Sequence, residues 1–183
     1  MPRILVLYGT SEGQTAKIAR ALAARLTGGG IEADVVRAGM GDPEPAAYDG
    51  LIVAASMHAR GYQKPVGKWL RSHVADLNVL PPAFLSVCLS VRSKLETSRD
   101  EARAIPRRYV DGIGWTPTKI KVVAGAMPYT RYNFIIRLIM RRNAAVEGGD
   151  TDTTRDYEYT DWQDLRAFAD RFAAVVNARR HAA

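Results

Sequence analysis

Gly9-Thr10-Ser11-Glu12-Gly13-Gln14-Thr15 sets three hydroxyls, two glycines and an amide between an apolar run and a helical pattern. Backbone N–H groups opening a helix attract anions. Thr10, Ser11 and Thr15 add O–H donors, and Gly13 permits close backbone approach. The segment lacks the Gly-x-Gly-x-x-Gly of dinucleotide folds and the Gly-Lys-Ser/Thr of triphosphatases. Hydroxyl-rich recognition without lysine suits a phosphate monoester such as that of FMN. A polar strand-to-helix turn with an N-cap is the other reading this stretch allows.

Further reactive groups are few. Cys88 is the single cysteine, so no intrachain disulfide forms, and no CxxC or Cys/His cluster points to zinc. Without a histidine partner Cys88 reads as a buried strand residue rather than a nucleophile. Asp150-Thr151-Asp152-Thr153 has oxygens at metal-like spacing but not the rest of a calcium loop, and reads as a polar turn. His73 falls beside an apolar helical stripe and reads as a core residue. His58 stands in a loop, either as a hydrogen-bonding or proton-relaying group or as a polar group on the surface.

The elements that would position these groups alternate along the chain. Arg3–Tyr8, Ala33–Arg37, Leu51–Ala55, Ala83–Leu89 and Lys119–Ala126 are strand-like apolar runs. Between them, Thr15–Thr27 carries an apolar face and is stopped by Gly28-Gly29-Gly30, and Val66, Trp69, Leu70, Val74 and Leu77 mark a further helix. Ser93–Tyr109 has helical composition, and Asp161–Arg179 closes the chain with an amphipathic stripe capped by Thr160 or Asp161. Nearly continuous apolar strands alternating with helices predict a parallel sheet covered on both faces, a doubly wound α/β sandwich. At 183 residues the chain suits one domain, 1–183. Residues 127–160 exceed the usual 2–6 residue connection and are an insertion before the last helix.

Charge is concentrated. Of a net +7, residues 92–142 hold 12 basic and 4 acidic residues, while residues 143–183 hold 5 and 8. Such a field draws phosphates, carboxylates or anionic headgroups. Arg107-Arg108 and the insertion arginines come without a helix-turn-helix, zinc finger or aromatic RNA-binding pattern, so nucleic acid is not expected. No apolar stretch reaches the ~20 residues of a membrane span, and Ile4–Tyr8 is too short for a secretory signal. A cytoplasmic location follows as the expectation.

The phosphate segment resembles that of the flavodoxin-like superfamily, whose parallel sheet runs 2-1-3-4-5. The same Thr10–Thr15 stretch, Gly125-Ala126, Tyr129-x-Arg131-Tyr132, Leu138-Ile139-Met140, Gly148-Gly149-Asp150-Thr151-Asp152-Thr153 and Tyr159-Thr160-Asp161-Trp162 are similar to the bacterial quinone-dependent protoporphyrinogen dehydrogenase family, over almost the entire chain. His58-Ala59-Arg60 and Cys88 depart from that family's pattern. The resemblance implies FMN at the carboxyl ends of the strands, near the switch between the first and third. It sets Thr10, Ser11, Glu12, Gly13, Gln14 and Thr15 on the phosphate. It sets the ring between Ser56, Met57, His58, Ala59 and Tyr62 on one side and Ser86, Val87, Cys88, Leu89 and Ser90 on the other. Tyr62 is either a stacking partner or core packing. No protein nucleophile is needed, because the flavin carries the chemistry.

The expected activity is oxidation of protoporphyrinogen IX in haem biosynthesis with electrons passed to a membrane quinone. A flavodoxin-type electron carrier and an NAD(P)H-dependent quinone reductase are the alternatives; carriers are typically acidic, against the +7 here. Arg60, Arg92 and Arg131 are candidates for pairing with the substrate's propionates. Residues 131–142 read as a short helix with Phe134, Ile135, Leu138 and Ile139 on one stripe and four arginines. That stripe fits peripheral contact with an anionic membrane, packing on the protein's own sheet, or a second copy in a homo-oligomer.

Overall fold

The computed structural model describes residues 1–58 and 60–182, with the side chain of residue 182 left out. Strands β1 (Arg3–Gly9), β2 (Glu32–Arg37), β3 (Gly50–Ser56), β4 (Pro82–Val87) and β5 (Lys119–Val123) form one parallel sheet in the order β2-β1-β3-β4-β5. Alternate residues of each central strand point to opposite faces, and both faces are apolar. Ile4, Val6, Ile52, Ala54, Ala83 and Leu85 pack with α1 (Gln14–Gly28) and α6 (Trp162–Ala182). Leu5, Leu7, Leu51, Val53 and Phe84 meet α2 (Lys64–Ser72), α3 (Val74–Leu77) and α4 (Glu96–Asp111) across the sheet. The doubly wound sandwich is therefore observed.

Several boundaries differ from the sequence reading, each for a local reason. The expected single helix over Val66–Leu77 is two, broken at His73, whose ring Nδ1 lies 2.9 Å from the Trp69 carbonyl. His73 is thus the satisfied core histidine its spacing suggested. The fourth strand stops at Val87 rather than Leu89, because Leu89–Arg92 winds into a short 3-10 turn. The fifth stops at Val123. Ala126 leaves the sheet for an antiparallel ladder, β6 (Ala126–Met127) with β7 (Tyr157–Glu158).

That ladder joins the two ends of the insertion. Between them lies α5 (Phe134–Glu147), opened by the Asn133 side chain, which accepts from the Ile136 N–H. A small core of Met127, Tyr129 and Ala144, with Met140, Tyr157 and Tyr159 against it, seats the insertion. The stripe Phe134, Ile135, Leu138 and Ile139 is left in solvent, with Phe134 79% and Ile135 67% exposed. Packing on the protein's own sheet is thereby ruled out for it. Among the described residues no helix is long and apolar enough to cross a membrane.

Candidate functional site

At the carboxyl end of the sheet, where β1 and β3 are neighbours but their connections depart in opposite directions, a cleft of about 870 Å³ opens. This is where ligands bind in open α/β sheets, and the volume lies within the roughly 300–1,000 Å³ of small-molecule sites. The loop Thr10–Gly13, the β3 exit, the β4 exit and the inner side of the insertion wall it.

The loop is shaped by close packing. At Gly9 a Cβ would lie 2.5 Å from Val66 Cγ2 and 2.7 Å from Gln63 Oε1, so only glycine lets β1 end against the start of α2. Gly13 takes φ 99° at the N-cap of α1, a left-handed conformation that other residues rarely adopt. Its N–H donates to Thr10 Oγ1 at 2.9 Å, which closes the turn. No side chain caps α1 and no acid stands in its first turn, so its leading N–H groups stay open. Thr15 is 1% exposed, lines the cleft, and its Oγ1 has no hydrogen-bond partner. A buried hydroxyl without a partner is costly, and an anion in this loop would satisfy it. The loop therefore fits a phosphate.

Several further residues named from the sequence line the cleft. Ser56, Met57, His58, Val87, Cys88, Leu89 and Ser90 line it with Thr10, Glu12 and Gln14. His58 is held by paired backbone bonds with Gly61 at 2.9 Å. Ala59 lies outside the described residues. Burial pushes the Cys88 thiol up, against bonds from Ser90 and Val91, which disfavours the reactive thiolate.

Others are placed elsewhere. Tyr62 does not border the cleft. Its hydroxyl donates to Ser86 Oγ at 2.7 Å, and its ring packs on Phe84 and Tyr109 with centroids 5.1 and 4.5 Å away. Core packing is the reading of Tyr62 that holds, and Ser86, fully buried, is spent on the same bond. Ser11 Oγ accepts from Gln63 Nε2 at 3.2 Å on the outer side of the loop. Of the three candidate arginines, Arg60 and Arg92 line the cleft. Arg60 reaches Glu101 at 3.2 Å, and Arg92 lies 4.6 Å above the Tyr159 ring. Arg131 instead donates from Nη1 to the Glu12 carbonyl at 3.2 Å, on the phosphate loop itself.

Sequence reasoning missed Gln63, whose Nε2 donates to Ser56 Oγ, the Ser56 carbonyl and Ser11 Oγ, tying the loop to the β3 exit. Nothing in its neighbourhood flags that role, since the bonds join segments far apart in the chain. It also missed Arg142 and Met140, which border the cleft from α5. The clustered positive charge was the available signal for Arg142.

The insertion is latched to the loop's helix. Gln14 Nε2 donates to Thr160 Oγ1 at 2.9 Å, and Lys17 Nζ donates to Glu158 at 2.5 Å. At its neck the Asp156 carboxylate accepts from the Thr130 N–H at 2.8 Å, which holds its pKa below the ordinary range. Burial pushes Glu158 up, but bonds from Lys17, Trp162 and Gln14 and the Lys17 charge outweigh it and leave it lowered. A depressed folded pKa gives stability that is present above the unfolded value and lost as pH falls through the folded one. Acidifying from about pH 5 down through the depressed folded values of Asp156 and Glu158 should therefore loosen the neck before the sheet. Hydrogen exchange should show the Thr130 amide losing protection while Leu5 and Val53 keep theirs; simultaneous loss would refute this order.

Known proteins resemble this chain in sequence and in fold. The flavodoxin domain family matches residues 5–154. Protoporphyrinogen IX dehydrogenase [quinone] of Escherichia coli strain K12 is 33% identical over 96% of this chain and 97% of its own. The protein of the same name from Leishmania major is 33% identical over 95% of this chain and 76% of its own. Among solved structures, an archaeal flavodoxin superposes with a TM-score of 0.58 at 14% identity, covering 96% of this chain and 99% of its own. Flavodoxin 1 of Bacillus cereus gives 0.57 at 14%, covering 94% and 97%; at that identity the likeness concerns the fold alone. With its 2-1-3-4-5 sheet, its phosphate-fitting loop and this match over most of its length, the chain belongs to the flavodoxin domain family.

Proposed function

We propose that the protein is an FMN-dependent oxidoreductase that converts protoporphyrinogen IX to protoporphyrin IX in three two-electron steps and passes the electrons to a membrane quinone. The observation that carries this reading is the 33% identity over 96% of the chain to relatives of that name, which spans the phosphate loop and the insertion alike. Bound FMN would supply the electron transfer, and the protein the position and the electrostatics. Thr10–Thr15 hold the phosphate by open N–H groups and the Thr15 hydroxyl. Met57, Val87 and Leu89 give the cleft an apolar wall against which a flavin ring would pack. Arg60 and Arg92 set positive charge around it, where propionates can pair with guanidinium.

Access to a lipid-borne quinone fits α5. Its inner side, with Met140 and Arg142, borders the cleft, while Phe134 and Ile135 face outward. Residues 131–146 hold four arginines and no acid, which complements an anionic lipid surface.

The activity is tested by anaerobic mixing of FMN-loaded protein with protoporphyrinogen IX, then separately with NADH and NADPH. Rapid bleaching of the flavin absorbance by the porphyrinogen is expected. Bleaching by the nicotinamide donors alone would replace this reading with that of a quinone reductase.

A further inference from the structure

We infer that Arg131 is a phosphate ligand brought to the loop by the insertion, and that it makes the site select FMN over riboflavin. The inference rests on the FMN reading above and goes beyond it, since the loop by itself contains no cation.

A phosphate monoester carries about −1.5 to −2 charge at neutral pH. Residues 9–16 offer it N–H groups and hydroxyls, but their one ionisable side chain is the acid Glu12. The nearest lysine in the sequence, Lys17, is engaged elsewhere: its Nζ is bonded to Glu158 and lies 5.1 Å over the Trp162 ring. Arg131 is placed differently. Its Nη1 is 3.2 Å from the Glu12 carbonyl and 3.8 Å from where a Cβ on Gly13 would lie. That puts a positive charge at the mouth of the turn that opens α1, beside the loop whose buried Thr15 hydroxyl has no partner.

Its backbone is anchored for the purpose. Tyr129 is fully buried, and its hydroxyl donates to the Asp150 carbonyl at 2.8 Å. The Thr130 N–H and hydroxyl both donate to Asp156, at 2.8 and 2.9 Å. Arg131 follows at the end of this pinned turn. One donor of the guanidinium serves the Glu12 carbonyl, and a guanidinium has five. No other hydrogen bond of this guanidinium is seen among the described residues, although its charge also acts on the Asp156 carboxylate, so donors remain for phosphate oxygens, with the charge-assisted geometry that suits arginine. Arg60, Arg92 and Arg142 border the cleft, whereas Arg131 stands at the Glu12–Gly13 turn itself, so its role separates from the propionate-facing one.

The test measures dissociation constants of FMN and riboflavin for the apoprotein by quenching of flavin fluorescence, with Arg131→Ala, Arg131→Gln and Arg131→Lys compared to the parent chain. Gln removes the charge while keeping a polar side chain at the turn, and Ala removes both. Ala and Gln should each weaken FMN by about 10- to 100-fold, the range of charge-assisted bonds. Riboflavin should change by less than about twofold and Lys should recover part of the loss, with the FMN effect shrinking as salt screens the pair. Equal losses for both flavins, or FMN binding by Arg131→Gln that matches the parent, would overturn the inference while leaving the FMN reading intact. A parent chain that binds FMN no better than riboflavin would instead bring down the FMN reading, and this inference with it.

Discussion

Valine at position 13 should weaken FMN binding by about 100-fold or more while riboflavin binding changes little. Gly13 sits at φ 99°, where a β-branched residue is a steric outlier. The left-handed conformation costs a chiral residue about 1–2 kcal/mol. The chain relieves that strain by rotating the peptides on either side. Those peptides aim the open N–H groups of α1, and each charge-assisted bond they lose is worth about 1.5–3 kcal/mol. Two lost bonds already amount to the expected factor, because each ~1.4 kcal/mol is tenfold. The sheet lies beyond the turn and a stability of about 5–15 kcal/mol absorbs the strain, so the far-UV spectrum should be unchanged. Titration of both flavins into Gly13→Val apoprotein decides the matter. Equal losses would mean that the loop does not read the phosphate.

The second large effect belongs to α5. The helix presents Phe134, Ile135, Leu138 and Ile139 to solvent, with Leu138 56% exposed, beside the exposed Arg141 and Arg142. Exposed apolar patches on a soluble surface mark contacts. Fourteen residues rise about 21 Å, short of the bilayer core, so α5 can lie in the interface and not span it. Each arginine near an anionic surface contributes about 1 kcal/mol. Removing two costs about 30-fold in vesicle affinity, and reversing them to Glu costs more. Sedimentation with phosphatidylserine-containing vesicles should show binding that weakens with salt and falls by at least that factor in Arg141→Glu/Arg142→Glu. Phe134→Ser should weaken it through the apolar side alone. Absence of binding at low salt, or equal binding to neutral vesicles, would refute the interfacial placement.

The strands were legible because their apolar pattern is local, whereas their order came from the resemblance, since partners such as Ile4 and Gly50 lie far apart in the chain. Ile4–Leu7 and Leu51–Ala55 are apolar on both faces, which a strand can satisfy only when covered on both sides. The turn Thr10–Gly13 was legible for the same reason: glycines and hydroxyls between a strand and a helix act through the local backbone. Even α5 was readable from its periodicity, though not the side it would bury.

Tertiary structure alone decided what lies between distant segments. Tyr62 follows a loop glycine in a way that suits ring stacking, yet Ser86, Phe84 and Tyr109 draw it into the core. Ala126 continues an apolar strand in sequence, but Glu158 and Tyr157 take residues 126–127 for the neck of the insertion. Arg131 stands 119 residues from Glu12, and no local pattern states that its guanidinium closes on the phosphate loop rather than on the cleft. Backbone conformation is set by interactions within a few residues and leaves a periodic trace. Side-chain partnership is set by which surfaces the folded chain presses together, and that is fixed only when the whole core has formed.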